Sequence, residues 1–98
     1  MFVLGIDPGL TTTGYAIVGN GEVVSLGVVR TNPADPIPTR LAEIRRDLTD
    51  LILEFSPEVM AIEQVFVNRN LQTATSVVRA SGAAMIAAAE LGIPVVEY

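Results

Sequence analysis

Apolar residues along the chain fall into two rhythms. Short runs bounded by Gly, Pro or Asn alternate with two longer stretches of helical spacing. Phe2-Val3-Leu4-Gly5-Ile6-Asp7 is the first short run, and Pro8-Gly9 stops strand pairing just beyond it. Thr12–Val18 and Glu22–Arg30 read as two further strands, and Gly19-Asn20-Gly21 supplies the positive φ angles of a tight hairpin between them. Residues 9–12 link the first strand to the second, which predicts an antiparallel meander. Asn32 to Pro38 holds three prolines in seven residues and reads as a loop.

A helix is expected from about Thr39 to Phe55. Leu41, Ile44, Leu48, Leu51, Ile52 and Phe55 form its apolar stripe, with Glu43, Arg46, Asp47, Asp50 and Glu54 mainly opposite. Thr39 is the expected N-cap, and Ser56-Pro57 ends the helix. Val59–Glu63 is a fourth, buried strand that, like the first, ends on an acid. A strand reached through a helix runs parallel to its neighbour by a right-handed crossover. The simplest topology sets this strand beside the first. A second helix, about 71–91, leads through Gly92 and Pro94 to a fifth strand at Val95–Tyr98. The expected fold is α/β: one domain, a mixed five-stranded sheet of order 3-2-1-4-5 whose first three strands are antiparallel, and two helices.

The second helix is built largely of small residues, Ala80-Ser81-Gly82-Ala83-Ala84 and Ala87-Ala88-Ala89. Small side chains allow close backbone approach, either to the helix's own sheet or to a second subunit. Its apolar character around most of the circumference favours burial on two sides, one of them a dimer interface.

Composition narrows the chemistry. At 98 residues the chain can bury roughly two thirds of its unfolded surface. It has no Cys and no His, which excludes disulfides, thiolate metal sites and imidazole bases. Carboxylates, hydroxyls, amides and arginine remain. No run is long enough to cross a bilayer and no basic region precedes the first strand, so a cytoplasmic protein with no membrane partner is expected. The net charge of −5 argues against a polyanionic partner. Six of the eleven acids (Asp35, Glu43, Asp47, Asp50, Glu54, Glu58) lie in or beside the polar surface of the first helix, however, and all six cations are arginine.

Asp7 and Glu63 are the candidate reactive groups. If their strands are neighbours, about 4.8 Å apart, the two carboxylates finish side by side at one sheet edge. Close unpaired acids repel, and a divalent cation relieves the repulsion. Mg²⁺, with Mn²⁺ as an alternative, suits hard oxygen ligands that leave water sites open. Asp7 can instead cap the Pro-Gly turn, and Glu63 can reach solvent or pair with an arginine.

Gly5-Ile6-Asp7-Pro8-Gly9-Leu10-Thr11-Thr12-Thr13-Gly14-Tyr15 and Ala61-Ile62-Glu63-Gln64-Val65-Phe66 resemble the two N-terminal signature blocks of the RuvC family of bacterial Holliday-junction resolvases. Pro57-Glu58, Arg69-Asn70 and Ile93–Tyr98 agree with the family's order and spacing, so the resemblance spans essentially the whole chain. It implies an RNase H-like fold and a homodimeric, Mg²⁺-dependent endonuclease that cuts four-way junction DNA in recombination and repair. It also implies pairing of subunits through the helix at 71–91 and a branch-migration helicase complex as partner. By the resemblance, Asp7 and Glu63 are catalytic metal ligands and Phe66 stacks on a junction base. Phe66 reads equally well as a core residue over the helix entrance. Arg69 and Asn70 open the second helix, where they can hold a phosphate, although Asn70 also suits a plain N-cap. Thr12 and Thr13 are further candidate DNA contacts. Family members continue beyond this C-terminus into a part that carries two more catalytic aspartates and a basic helix. This chain is therefore expected to be a truncated or engineered core that cleaves slowly or not at all.

Three other functions fit parts of the pattern. An actin-like ATPase module would hold phosphates at Thr11–Thr13, but it needs a second phosphate block that this chain does not have. A catalytically idle dimeric scaffold of the same fold is compatible with the acidic balance. RNase H-like proteins that process ribosomal RNA ends share the opening strand, and the block at 63–66 fits them less well.

Overall fold

A computed structural model describes residues 1–64 and 71–98. Strands β1 (Phe2–Asp7), β2 (Thr12–Gly19) and β3 (Glu22–Arg30) form the antiparallel meander. Helix α1 (Ile37–Phe55) leads to β4 (Val59–Ile62), and helix α2 (Leu71–Glu90) leads to β5 (Val95–Glu97). The sheet order is β3-β2-β1-β4-β5, as the sequence predicts, with β4 parallel to β1 and β5 parallel to β4.

Asn20 and Gly21 turn the β2–β3 hairpin with φ of 53° and 78°, the left-handed pair that matches the twist of the flanking strands. Helix α1 starts two residues earlier than its apolar spacing suggests. Pro36, rather than Thr39, occupies the N-cap, and no side chain caps the helix. Proline is pre-set for a helix start and its missing N–H goes unneeded there, so the proline-rich loop feeds the helix directly. At the other end Ser56 adopts a left-handed conformation, and its N–H donates to the Ile52 carbonyl.

Strands β3, β1 and β4 all run the same way. The crossovers β3-α1-β4 and β4-α2-β5 also progress in one direction across the sheet. Two right-handed crossovers of that kind place both helices on the same face. That face holds the core: Leu4 and Ile6 of β1, Ile17 of β2, and Met60 and Ile62 of β4, packed against Ile44, Leu48 and Ile52 of α1 and against Ala80, Ala84, Ala87 and Ala88 of α2. The alanines let α2 lie close to α1 and the sheet. The opposite face carries Leu26, Val28, Val96 and Tyr98, all exposed. No helix among the described residues is long and apolar enough to cross a membrane.

Candidate metal and nucleic-acid site

Side chains alternate across a strand, so the residue after a buried one faces the other way. Ile6 and Ile62 are the last paired positions of β1 and β4, and both are buried under the helices. Asp7 and Glu63 follow them directly. Both are exposed and both stand on the helix-free face. The Glu63 N–H donates to the Ile6 carbonyl at 3.1 Å, so the parallel ladder holds the two strand ends together. Neighbouring strands lie about 4.8 Å apart, and the two carboxylates extend from adjacent positions of one row.

The row continues on both sides. Gly14 of β2 pairs with Asp7. A Cβ added at Gly14 would lie 3.6 Å from the Asp7 Cβ, so glycine keeps the flank of that acid free of a side chain. On the β5 side the Tyr98 N–H donates to the Ile62 carbonyl, and the Tyr98 carbonyl accepts from the Gln64 N–H. Tyr98 thereby stands beside Glu63. A shallow cleft of about 280 Å³ opens on this face, lined by Asp7, Gly5, Gly14, Ala16, Leu26 and Tyr98 among others. Glu97 pairs with Ile62 and so belongs to the opposite face, away from the two acids.

Two exposed carboxylates in one row are of the residue type that could hold a single hard cation that keeps most of its waters. Among the described residues no group of three potential ligands gathers at one point. The acids at the sheet edge are a pair, not a cage.

The turn after Asp7 is held from several directions. The Thr13 hydroxyl donates to the Gly9 carbonyl at 2.6 Å and accepts from the Gly9 N–H at 3.3 Å. Thr13 is fully buried, so its hydroxyl braces the turn from inside and offers no surface for DNA. Thr12, the neighbouring candidate, is exposed. Phe66, Arg69 and Asn70 lie outside the described residues. Sequence reasoning passed over Gly14, Tyr98 and Arg40. The first two are assigned only by register. Arg40 had left a sign in the sequence, because it falls on the same four-residue spacing as the buried Ile44, Leu48 and Ile52 of α1.

The exposed side of α2 carries Leu71, Val78 and Ile86, with Gly82 on the same stripe. Between the two helices a groove is lined by Leu41, Arg45, Arg79, Gly82, Ala83 and Ile86. Arg45 also ties α1 to α2 through a two-pronged contact with Glu90, at 2.6 and 2.9 Å. That hydrogen-bonded contact, reinforced by the opposite charge, raises the arginine pKa. It also lowers the Glu90 pKa, chiefly through the hydrogen bond from Arg45 and against the opposing effect of desolvation.

A family model described as crossover junction endodeoxyribonuclease RuvC matches residues 3–98. A Magnetococcus marinus protein of the same description is 42% identical over 100 residues, covering 98% of this chain and 56% of that relative. Among solved structures, Thermus thermophilus RuvC in complex with a Holliday junction substrate superposes with a TM-score of 0.92 at 35% identity, covering 100% of this chain and 64% of that one. A yeast mitochondrial Holliday junction resolvase shares the fold, with a TM-score of 0.64 at 18% identity over 97% of this chain and 51% of its own. The chain thus spans between about half and two thirds of the length of these proteins.

Proposed function

We propose, since this chain belongs to the RuvC family of crossover junction endodeoxyribonucleases, that it is the part of such a nuclease that holds one divalent metal ion and meets four-way junction DNA. The observation that carries this reading is the register. It takes two acids separated by more than fifty residues and sets them in one row of the open face.

In this reading Asp7 and Glu63 hold Mg²⁺ or Mn²⁺ between them and shed their mutual repulsion in doing so. A bound divalent ion supplies Lewis-acid polarisation of a phosphodiester oxygen and a water of lowered pKa. The protein contributes placement. Gly14 leaves the flank of Asp7 open for a phosphate, and the exposed Thr12 hydroxyl is proposed to hydrogen-bond a phosphate oxygen. Phe66, Arg69 and Asn70 follow Glu63 closely in the chain and are proposed as further DNA contacts. Phe66 would stack on an unpaired base and the other two would meet the backbone. A protein that acts on four-way DNA in this way is proposed to work in the bacterial cytoplasm, where it would meet that DNA.

The exposed stripe Leu71–Val78–Gly82–Ile86 is proposed as a homodimer interface. A symmetric pair of sites suits a junction whose two strands are cut symmetrically. The four-way substrate itself is that of the Thermus relative. Two acids leave most of an ion's coordination to water and so hold it weakly, and a two-ion hydrolysis needs more oxygen ligands. The chain by itself should therefore bind junctions and cleave them slowly at most.

Titration with Mn²⁺, followed by water-proton relaxation, tests the metal reading. Wild type should bind one ion, and Asp7→Asn or Glu63→Gln should remove that binding. Retention of Mn²⁺ by both variants would defeat the assignment. Gel-shift assays comparing a four-way junction with linear duplex should favour the junction. Ile86→Glu should convert a dimer to a monomer in sedimentation. Stabilisation by ATP–Mg²⁺ without junction binding would instead point to a nucleotide-binding module.

A further inference from the structure

Arg40 is buried to 7% exposure in the first turns of α1, and among the described residues no carboxylate pairs with it. A buried guanidinium without an acid is costly unless its donors are otherwise satisfied. If only volume mattered, methionine or leucine would fill that place at lower cost. Arg40 must therefore gain from what its planar fork can reach.

It reaches the turn that follows Asp7 directly at Thr11 and indirectly, through Thr31 just after β3, at Leu10. Its Nε donates to the Thr31 hydroxyl at 2.9 Å, and its Nη2 donates to the Thr11 hydroxyl at 2.9 Å. The Thr31 hydroxyl passes the contact on by donating to the Leu10 carbonyl at 2.7 Å, and the Thr31 N–H donates to the Thr11 carbonyl at 3.0 Å. With Thr13 already bracing Gly9, residues 9, 10 and 11 are each tied down. The anchors come from β2, from the segment after β3, and from α1. Both side chains bonded to Arg40 are neutral hydroxyls, so the clamp adds no carboxylate that would compete with Asp7 and Glu63 for a cation.

We propose that Arg40 is a positioning residue for the carboxylate pair: by clamping Thr11 and Thr31 it fixes the turn that ends β1 and keeps Asp7 aligned with Glu63. This rests on the metal reading above. A lysine at this position keeps the charge but has one nitrogen, which cannot span both hydroxyls.

The test compares Arg40→Lys, Thr11→Val and their double variant with wild type and with Thr49→Val. Thr49→Val is a control that removes an exposed hydroxyl–carbonyl bond within α1. Thr11 is exposed, so its substitution spares the core. Mn²⁺ affinity, measured well below the melting temperature, should fall about tenfold in each single variant, as it does when a metal ligand loses its support. It should fall little further in the double variant, because the Arg40–Thr11 contact that Thr11→Val breaks is already lost in Arg40→Lys. Exchange of the Thr31 amide should quicken by about tenfold in the same variants while the β4 amides keep their protection. A lowered melting temperature with unchanged Mn²⁺ affinity would overturn the proposal and leave Arg40 a merely structural residue. If wild type shows no Asp7-dependent Mn²⁺ binding, the metal reading fails. The clamp is then judged on the Thr31 amide alone, and unchanged exchange there overturns it.

Discussion

Leu4 and Leu26 are the same residue in the same sheet, one on each face. Leu4 is 0% exposed beneath the two helices, and Leu26 is 75% exposed on the face that no helix covers. The covered face is apolar because both crossovers deposit their helices there, and it supplies the folding energy. The open face has no such duty, so it can carry charge at little cost. Asp7 and Glu63 stand on the open face because each comes one residue after a buried isoleucine, Ile6 or Ile62. One step along a strand separates the residue that holds the fold together from the residue proposed to do chemistry. The glycine at 14, beside Asp7, serves the same separation by keeping that edge open.

The contrast predicts unequal costs for equal substitutions. Leu4→Ala should cost about 2–5 kcal/mol, the range for a cavity opened in a packed core. Leu26→Ala should stay within about 0.5 kcal/mol. Urea unfolding of both variants measures the difference directly, and a similar loss for the two would mean that the second face is also packed. A polar pair comes next in size. Thr13→Val leaves the Gly9 carbonyl and N–H without their partner on the buried side, which should cost about 1–3 kcal/mol. Asp7→Asn, by contrast, should leave stability in metal-free buffer unchanged or slightly raised, because it removes one of two neighbouring like charges.

A small, pH-dependent effect concerns the surface tie between α1 and α2. In the folded chain the Arg45 contact holds the Glu90 carboxyl below its ordinary value of 4.5. A depressed acid contributes stability that is present above the unfolded pKa and is lost as pH falls through the folded one. Glu90→Gln should therefore melt about one or two degrees below wild type at pH 7, as expected for an exposed ion pair. The two proteins should converge at pH values below the lowered Glu90 pKa. A gap that persists there would show that packing, not charge, is responsible.

Much of the fold could be read directly from residue patterns. Helical spacing located the first helix, Asn20-Gly21 marked the hairpin, and the acid-terminated strands marked Asp7 and Glu63 as a pair worth testing. The start of α1 was misplaced because Thr39 has the chemistry of a cap, yet Pro36 already has the backbone angle of one. Thr13 looked like a surface hydroxyl beside Thr12, but strand alternation turns it inward onto Gly9. Tyr98 could not be placed beside Glu63 without the β4–β5 register. Arg40 was visible as an interruption in an apolar stripe, but its partners Thr11 and Thr31 lie 29 and 9 residues away.

By itself the sequence determined which segments become strands and helices, because backbone angles and the period of apolar residues are set within a few neighbours. It also confined any reactive chemistry of these 98 residues to carboxylates, hydroxyls, amides and arginine, since cysteine and histidine are absent. Tertiary structure decided which face each acid occupies, which strands adjoin, and which distant hydroxyls meet Arg40. Those outcomes depend on the handedness of crossovers and on strand pairing across the sheet. They bring together residues that no local spacing connects.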